Sequence, residues 1–228
     1  KAIDREALNT VVAQGGNEPT TSWIPAVDGA AEPDAFDAEI GFDEAGAKAA
    51  LAEAGFPDGA NFPTLTILVG NSPSAVATGE FLQDAYKTVL NIETNVESVD
   101  GATRSDRFTN QEFDLFPGGW LHDYPDPENW VLGLFDTGGS LNNYNCSDPD
   151  IDALVEKARY NTDNAERLDQ YKQINELIST RVCGIAPYWH ENDHWLVDSN
   201  VVGMAENISG NDASSAGDWN MEAWGLAS

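Results

Sequence analysis

Leu65-Thr66-Ile67-Leu68-Val69 is apolar on both faces and rich in β-branched side chains, the pattern of a strand covered on both sides. Gly70-Asn71-Ser72-Pro73 closes it. From Ser74 to Leu90, the residues Val76, Phe81, Leu82, Ala85, Val89 and Leu90 form one helical apolar face, and Asn91 to Glu97 returns to alternation. A strand with two apolar faces must be shielded by helices. The segment therefore predicts an α/β fold, a mixed β-sheet flanked by helices, in which ligands are held at the strand ends.

The remaining chain fits this frame. Ala2 to Leu8 has helical spacing and reads as a helix already in progress at the start. Gln14 to Gly41 is rich in Gly, Pro, Asn and Asp, with Trp23, Ile24 and Phe36 as apolar anchors, and is expected to be irregular. Asp43 caps a helix over Glu44 to Ala54, Gly55 ends it, and Phe56-Pro57-Asp58-Gly59 turns the chain. A short helix over Ala102 to Asn110 and a strand over Glu112 to Phe116 follow, and irregular chain then runs to Pro149. Asp148-Pro149 starts a helix to about Tyr160, and Asp163 with Glu166 makes a capping box for the next. Ile185 to Val202 reads as a hairpin broken at Glu191-Asn192-Asp193, and a polar tail begins near Ala205.

Charge narrows the function classes. Eleven basic residues against 39 acidic ones give a formal charge of −28, a field that repels phosphate backbones, so no nucleic-acid partner is expected. The acids are scattered through patterned segments, which describes a heavily solvated folded surface suited to high salt or an extracellular setting. No unbroken apolar run is long enough to span a membrane. Lys1 opens the chain without the charged and apolar stretches of a signal peptide, so any export signal is expected to have been removed or to lie upstream. The two cysteines, Cys146 and Cys183, are compatible with one disulfide and equally with two buried thiols. Cys146 precedes one helix and Cys183 follows its neighbour, although the second helix reads as the longer and overshoots if fully formed.

Four separated blocks carry a family resemblance. They are Ala2-Ile3-Asp4-Arg5; Phe42-Asp43 through Lys48 to Leu51-Ala52-Glu53-Ala54-Gly55-Phe56-Pro57-Asp58-Gly59; Phe113-Asp114 through Gly119-Trp120 to Asp123-Tyr124-Pro125-Asp126-Pro127; and Asn142-Asn143-Tyr144 leading to Asp152-Ala153-Leu154. In order and spacing, the chain resembles the peptide and nickel class of extracellular solute-binding proteins that serve ABC transporters. The resemblance implies a periplasmic-binding-protein type II-like lobe. Residues 1–204 would form the carboxy-terminal ligand-binding lobe of a two-lobe receptor, and residues 205–228 a tail returning to an amino-terminal lobe that this sequence lacks. It implies a non-enzymatic importer component without cofactors, outside the membrane and lipid-anchored in full-length form, with a peptide and the permease subunits as partners.

The resemblance also assigns a site. A peptide receptor must hold a free ammonium and an extended main chain, which calls for a fixed carboxylate beside main-chain hydrogen-bonding groups. Asp123 takes the first role, and Gly119-Trp120-Leu121 the second, with His122, Tyr124 and Trp23 as further pocket residues. From the residues alone, Asp123 also reads as a turn aspartate beside Tyr124-Pro125, and Trp120 as a core aromatic. Some oligopeptide-binding relatives carry an arginine just ahead of the Gly-Trp pair, where this chain has Pro117. Carboxylate recognition and ligand length are thus left open, and an oligosaccharide or a nickel chelate is an alternative ligand.

His190-Glu191-Asn192-Asp193-His194 matches the His-Glu-x-x-His pattern of zinc proteases, which needs both imidazoles on one helical face. Pro187 just upstream and the turn-forming Asn192-Asp193 oppose that helix, and strand-turn-strand is expected instead, with no metal site.

Overall fold

The computed structural model describes residues 1–26, 29–181, 183–192, 198–202 and the backbone of 225–226. In chain order the regular elements are α1 (Arg5–Val12), β1 (Glu18–Pro19), α2 (Asp37–Ile40), α3 (Glu44–Glu53), β2 (Leu65–Gly70), α4 (Pro73–Leu90), β3 (Thr94–Val99) and α5 (Gly101–Thr109). They continue with α6 (Pro149–Tyr160), α7 (Asn164–Thr180), β4 (Trp189–His190), β5 (Val201–Val202) and β6 (Gly225–Leu226).

The predicted strand-helix-strand is the centre of the first layer. β2 and β3 pair in parallel, Leu65 opposite Thr94 through Gly70 opposite Val99, which requires the long crossover that α4 supplies. Ser72 caps α4 by accepting the Ala75 N–H at 3.2 Å, and Pro73 occupies its first turn. α4 lies close on the sheet because of Gly79: a Cβ there would meet Val96 Cγ1 at 2.9 Å and Val69 Cγ1 at 3.0 Å. Ile67 and Val69 pack with Ile3, Leu8 and Leu82 in a buried cluster between α1, the sheet and α4.

Two strand boundaries differ from expectation. β3 begins at Thr94 and not at Asn91, because Asn91 ends α4 in the left-handed conformation at φ 54° and donates its amide to the Asp58 carbonyl. The strand expected over Glu112 to Phe116 shrinks to a single parallel bridge between Leu115 and Ile67. Leu68 and Thr66 exchange main-chain hydrogen bonds with Leu115, but the Thr66 N–H donates at 2.8 Å to the Asp114 carboxylate, which takes the place of the next ladder carbonyl.

Two helix starts also differ. α1 begins within the chain, capped by Asp4 accepting the Ala7 N–H, and is not already in progress at Lys1. Asp163 caps α7 as predicted, accepting from Ala165 and Glu166, but its own N–H donates to Asn161 Oδ1 at 2.9 Å, so Glu166 is not needed to close a capping box.

A second core joins α6, α7 and the irregular segments. Ile151, Ile174, Ile178, Val131 and Phe135 are fully buried there together with Ile24. The long segment after α1 is tied down by α7: Asn175 Oδ1 accepts both the Trp23 and Ile24 N–H groups at 3.1 Å, while its Nδ2 donates to Ser22 Oγ at 2.8 Å. One buried asparagine thus replaces the regular structure that this segment lacks.

The hairpin expected over Ile185 to Val202 is corrected where it can be followed. β4 pairs antiparallel with β1, Pro19 opposite Trp189 and Glu18 opposite His190, and Asn192 bonds back to Asn17 and Gly16. Residues 193–197, including His194, lie outside the described residues. Because His190 stands in a strand, the helix needed by the His-Glu-x-x-His chemistry is not formed at its first histidine. Of the tail, only the β6 backbone is described, and it pairs antiparallel with β5.

Candidate ligand-binding cleft

A cleft of 1260 Å³ opens at the carboxyl end of β2, where Val69 and the first turn of α4 meet residues 111, 113–122, 143–145 and 183–192. This is the position at which α/β sheets offer strand ends and helix amino termini to ligands. Trp23, Gly119, Trp120, Leu121 and His122 all line it. Asp123 and Tyr124 follow directly along the chain and are exposed outside its lining.

The 118–121 segment has no regular secondary structure. Gly118 is required at its start, since a Cβ there would meet the Phe116 ring at 2.6 Å, whereas Gly119 faces open space. Among the described residues, the main-chain N–H and C=O groups of Gly118, Gly119, Trp120 and Leu121 take no hydrogen bond from the protein. Unpaired main-chain groups in a row along a cleft need water or a ligand.

Asn129 holds this wall in place. It lies in the 3-10 turn Pro127–Trp130 and is 8% exposed. Its Oδ1 accepts the Trp120 indole N–H at 2.9 Å and the Asp123 N–H at 2.8 Å. Its Nδ2 lies 3.5 Å from Asp123 Oδ2, at the long limit of a hydrogen bond. Asp123 therefore has its main chain fixed and its carboxylate turned to solvent. Sequence reasoning overlooked Asn129, because a single amide inside an irregular run has no periodic signature.

The loop beyond is anchored by charge. Asp126 accepts the Glu128 N–H and receives both Arg167 guanidinium nitrogens, at 2.8 and 2.7 Å. Burial alone raises the Asp126 carboxyl, but the Arg167 and Glu128 hydrogen bonds more than offset it and leave it below the ordinary carboxylate value. Tyr124 donates to Glu128 at 3.3 Å, so its ring lies along this loop at the rim.

Aromatic rings form much of the cleft surface. Trp23 donates its indole N–H to the Trp130 carbonyl at 2.7 Å and meets Phe135 edge-on at 5.2 Å, and Tyr144 stacks on the far face of the same core. His122 is buried, edge-on to Trp130 at 5.8 Å. On the opposite wall, Tyr188 has its phenol pushed up to about 12, by burial first and then by Glu191. His190 is held below the ordinary imidazole value, burial outweighing the Trp23 carbonyl at 3.3 Å and Glu18 at 3.9 Å. Among the described residues, no group of three metal-ligating side chains is assembled.

The question left open by Cys146 and Cys183 is answered by a disulfide with Cα atoms 4.8 Å apart. It links the 142–146 loop to the segment after α7, and Cys183 itself lines the cleft. α7 does not overshoot, because it ends at Thr180, and Arg181 and Cys183 already stand in turns. Asn142 braces the other side, exchanging two hydrogen bonds with the main chain of Cys146.

Comparison with known proteins agrees with this geometry. The family model for bacterial extracellular solute-binding proteins, family 5, middle region, matches residues 1–142. The oligopeptide-binding protein OppA of Bacillus subtilis is 20% identical over 207 residues, covering 89% of this chain and 38% of that protein. A dipeptide-binding protein of Pseudomonas aeruginosa is 26% identical over 208 residues, with the same coverage of 89% and 38%. Among solved structures, the Escherichia coli murein tripeptide binding protein MppA superposes with a TM-score of 0.80 at 20% identity, over 100% of this chain and 43% of that one. The chain thus spans about two fifths of the length of these relatives, and the fold is of the periplasmic-binding-protein type II class.

Proposed function

The chain belongs to family 5 of the bacterial extracellular solute-binding proteins, and from that premise we propose that it is the peptide-holding carboxy-terminal lobe of an ABC-importer receptor. The observation that carries this reading is the row of unpaired main-chain groups from Gly118 to Leu121 along a cleft, followed at once by an exposed carboxylate on Asp123. An extended peptide needs hydrogen-bonding groups for its backbone and a negative charge for its ammonium.

In this reading residues 1–204 act as one lobe, and residues 205–228 return to an amino-terminal lobe. Closure of that lobe over the cleft would bury the ligand between them. Asp123 and Tyr124, outside the lining of this lobe alone, would then face the enclosed ligand from the rim. Trp23, Trp120 and His122 would pack on peptide side chains, and Gly119 and Leu121 would offer their main chain. The permease subunits are the downstream partners, and no catalytic step is assigned.

In this reading the protein works outside the cytoplasmic membrane, held by a lipid anchor in its full-length form. The Cys146–Cys183 disulfide suits such an oxidising compartment. The test is titration calorimetry of the two-lobed receptor with a library of short unmodified peptides. Saturable binding of several unrelated sequences is expected, and silence across the library overturns the reading. The isolated chain should bind the same peptides far more weakly, since it supplies only one side of the enclosure.

A further inference from the structure

Positive charge is kept out of this cleft. Among the described residues, those lining it include the acidic Glu18, Asp114 and Glu191 and no lysine or arginine, one oxygen of Asp114 being engaged by the Thr66 N–H. The portions of sequence outside the described residues do not alter this, because no lysine or arginine follows Arg181, and Val27-Asp28 carry none. Two guanidinium groups do lie behind the walls, and each is engaged by a main-chain carbonyl. Arg5 is buried and donates to the Pro187 and Ile40 carbonyls at 2.8 and 3.1 Å. Arg104 lies over the Phe116 ring, 3.9 Å from its centroid, and donates to the Pro117 carbonyl. Burial keeps His190 from adding a charge at neutral pH.

The same cleft offers half-buried aromatic faces at Trp23, Phe113, Trp120, Tyr144, Tyr188 and Trp189. Carboxylates beside half-buried aromatic rings form a surface that attracts ammonium and guanidinium groups through charge and through the ring quadrupole, and disfavours anions. Glu18 and Glu191 flank β4 on one wall, and Asp114 stands on the wall opposite, next to the unpaired main-chain row.

We propose that this lobe selects, among peptides, those bearing lysine or arginine side chains, and discriminates against acidic ones. The proposal rests on the peptide reading above and adds the charge class to it. Asp123 would hold the ligand's terminal ammonium, while Glu18, Glu191 and Asp114 would act on side chains further along.

The test uses the two-lobed receptor containing this chain, with Ala-Lys-Ala, Ala-Ala-Ala and Ala-Glu-Ala as probes. Ala-Lys-Ala is expected to bind at least about tenfold more tightly than Ala-Glu-Ala at low salt, the gap narrowing as ionic strength rises and screens the carboxylates. In a Glu18→Gln, Glu191→Gln double variant the same ratio should move towards one. Salt dependence in the unmodified receptor decides the matter even if that variant folds poorly. Equal binding of the two charged peptides, or preference for Ala-Glu-Ala, rejects this inference alone. Binding of none of the three rejects the peptide reading and this inference with it.

Discussion

The side-chain oxygen of Asn129 lies 2.9 Å from the indole nitrogen of Trp120. The same oxygen also accepts the main-chain N–H of Asp123 at 2.8 Å. One buried amide therefore sets both an aromatic wall of the cleft and the residue that carries its exposed carboxylate.

Asn129→Ala should cost about 1–3 kcal/mol of folding stability, because two donors lose their common acceptor in a buried site. Urea denaturation measures that cost. Peptide affinity of the two-lobed receptor should fall as well, since Trp120 and Asp123 are no longer held in register. Unchanged stability and affinity would show that the amide has no organising role.

Replacing Asp123 by alanine should weaken unmodified peptides by about 2–5 kcal/mol, the cost of leaving an enclosed ammonium without its partner. Peptides acetylated at the amino terminus should bind poorly to the parent protein and lose little more in the variant. Calorimetry with both peptide types separates the outcomes. Equal affinity of the parent protein for acetylated and free peptides would remove Asp123 from the ammonium-binding role.

The Cys146–Cys183 bond closes a sequence separation of 37 residues between the 142–146 loop and the segment after α7. A crosslink of that span restricts the unfolded chain and should stabilise the fold by about 2–4 kcal/mol. Reduction, or the Cys146→Ser, Cys183→Ser double variant, should lower the urea midpoint accordingly. Coincident unfolding curves with and without reductant would deny the bond a stabilising part.

His190 titrates below its ordinary value in the folded protein, because burial disfavours the charged imidazole by more than the Trp23 carbonyl and Glu18 favour it. The sign follows from linkage. Below the unfolded imidazole value the unfolded chain binds the extra proton more readily, so the stability contributed by neutral His190 is present above about pH 6.5 and drains away as pH falls. Stability measured from pH about 7.5 down to 5 should therefore decline less steeply in His190→Gln than in the parent protein. Parallel curves would show that His190 does not couple folding to protons.

Much of the architecture was legible because it depends on local pattern. The apolar run at Leu65 to Val69, the amphipathic stretch behind Pro73 and the helix starts at Asp43, Asp148 and Asp163 each express a short-range rule, and each element formed close to its predicted place. The misses lie where a distant partner overrules such rules. Leu115 remains a single bridge because the Asp114 side chain takes a ladder donor, and Trp189-His190 pairs with β1, more than 160 residues earlier in the chain.

From the amino-acid order alone came the strand-helix-strand frame, the negative field and the motif that brings Gly119, Trp120 and Asp123 within a few residues of one another. These depend on spacing, charge and side-chain type along a short length of chain. Folding decided which of them face the cleft, that Asn129 holds Trp120 and Asp123 to one oxygen, that Arg5 and Arg104 donate to main-chain carbonyls behind the walls, and that two cysteines on either side of a helix pair meet. Those outcomes depend on contacts between segments far apart in sequence, where the cost of an unpaired buried group, and not local propensity, selects the arrangement.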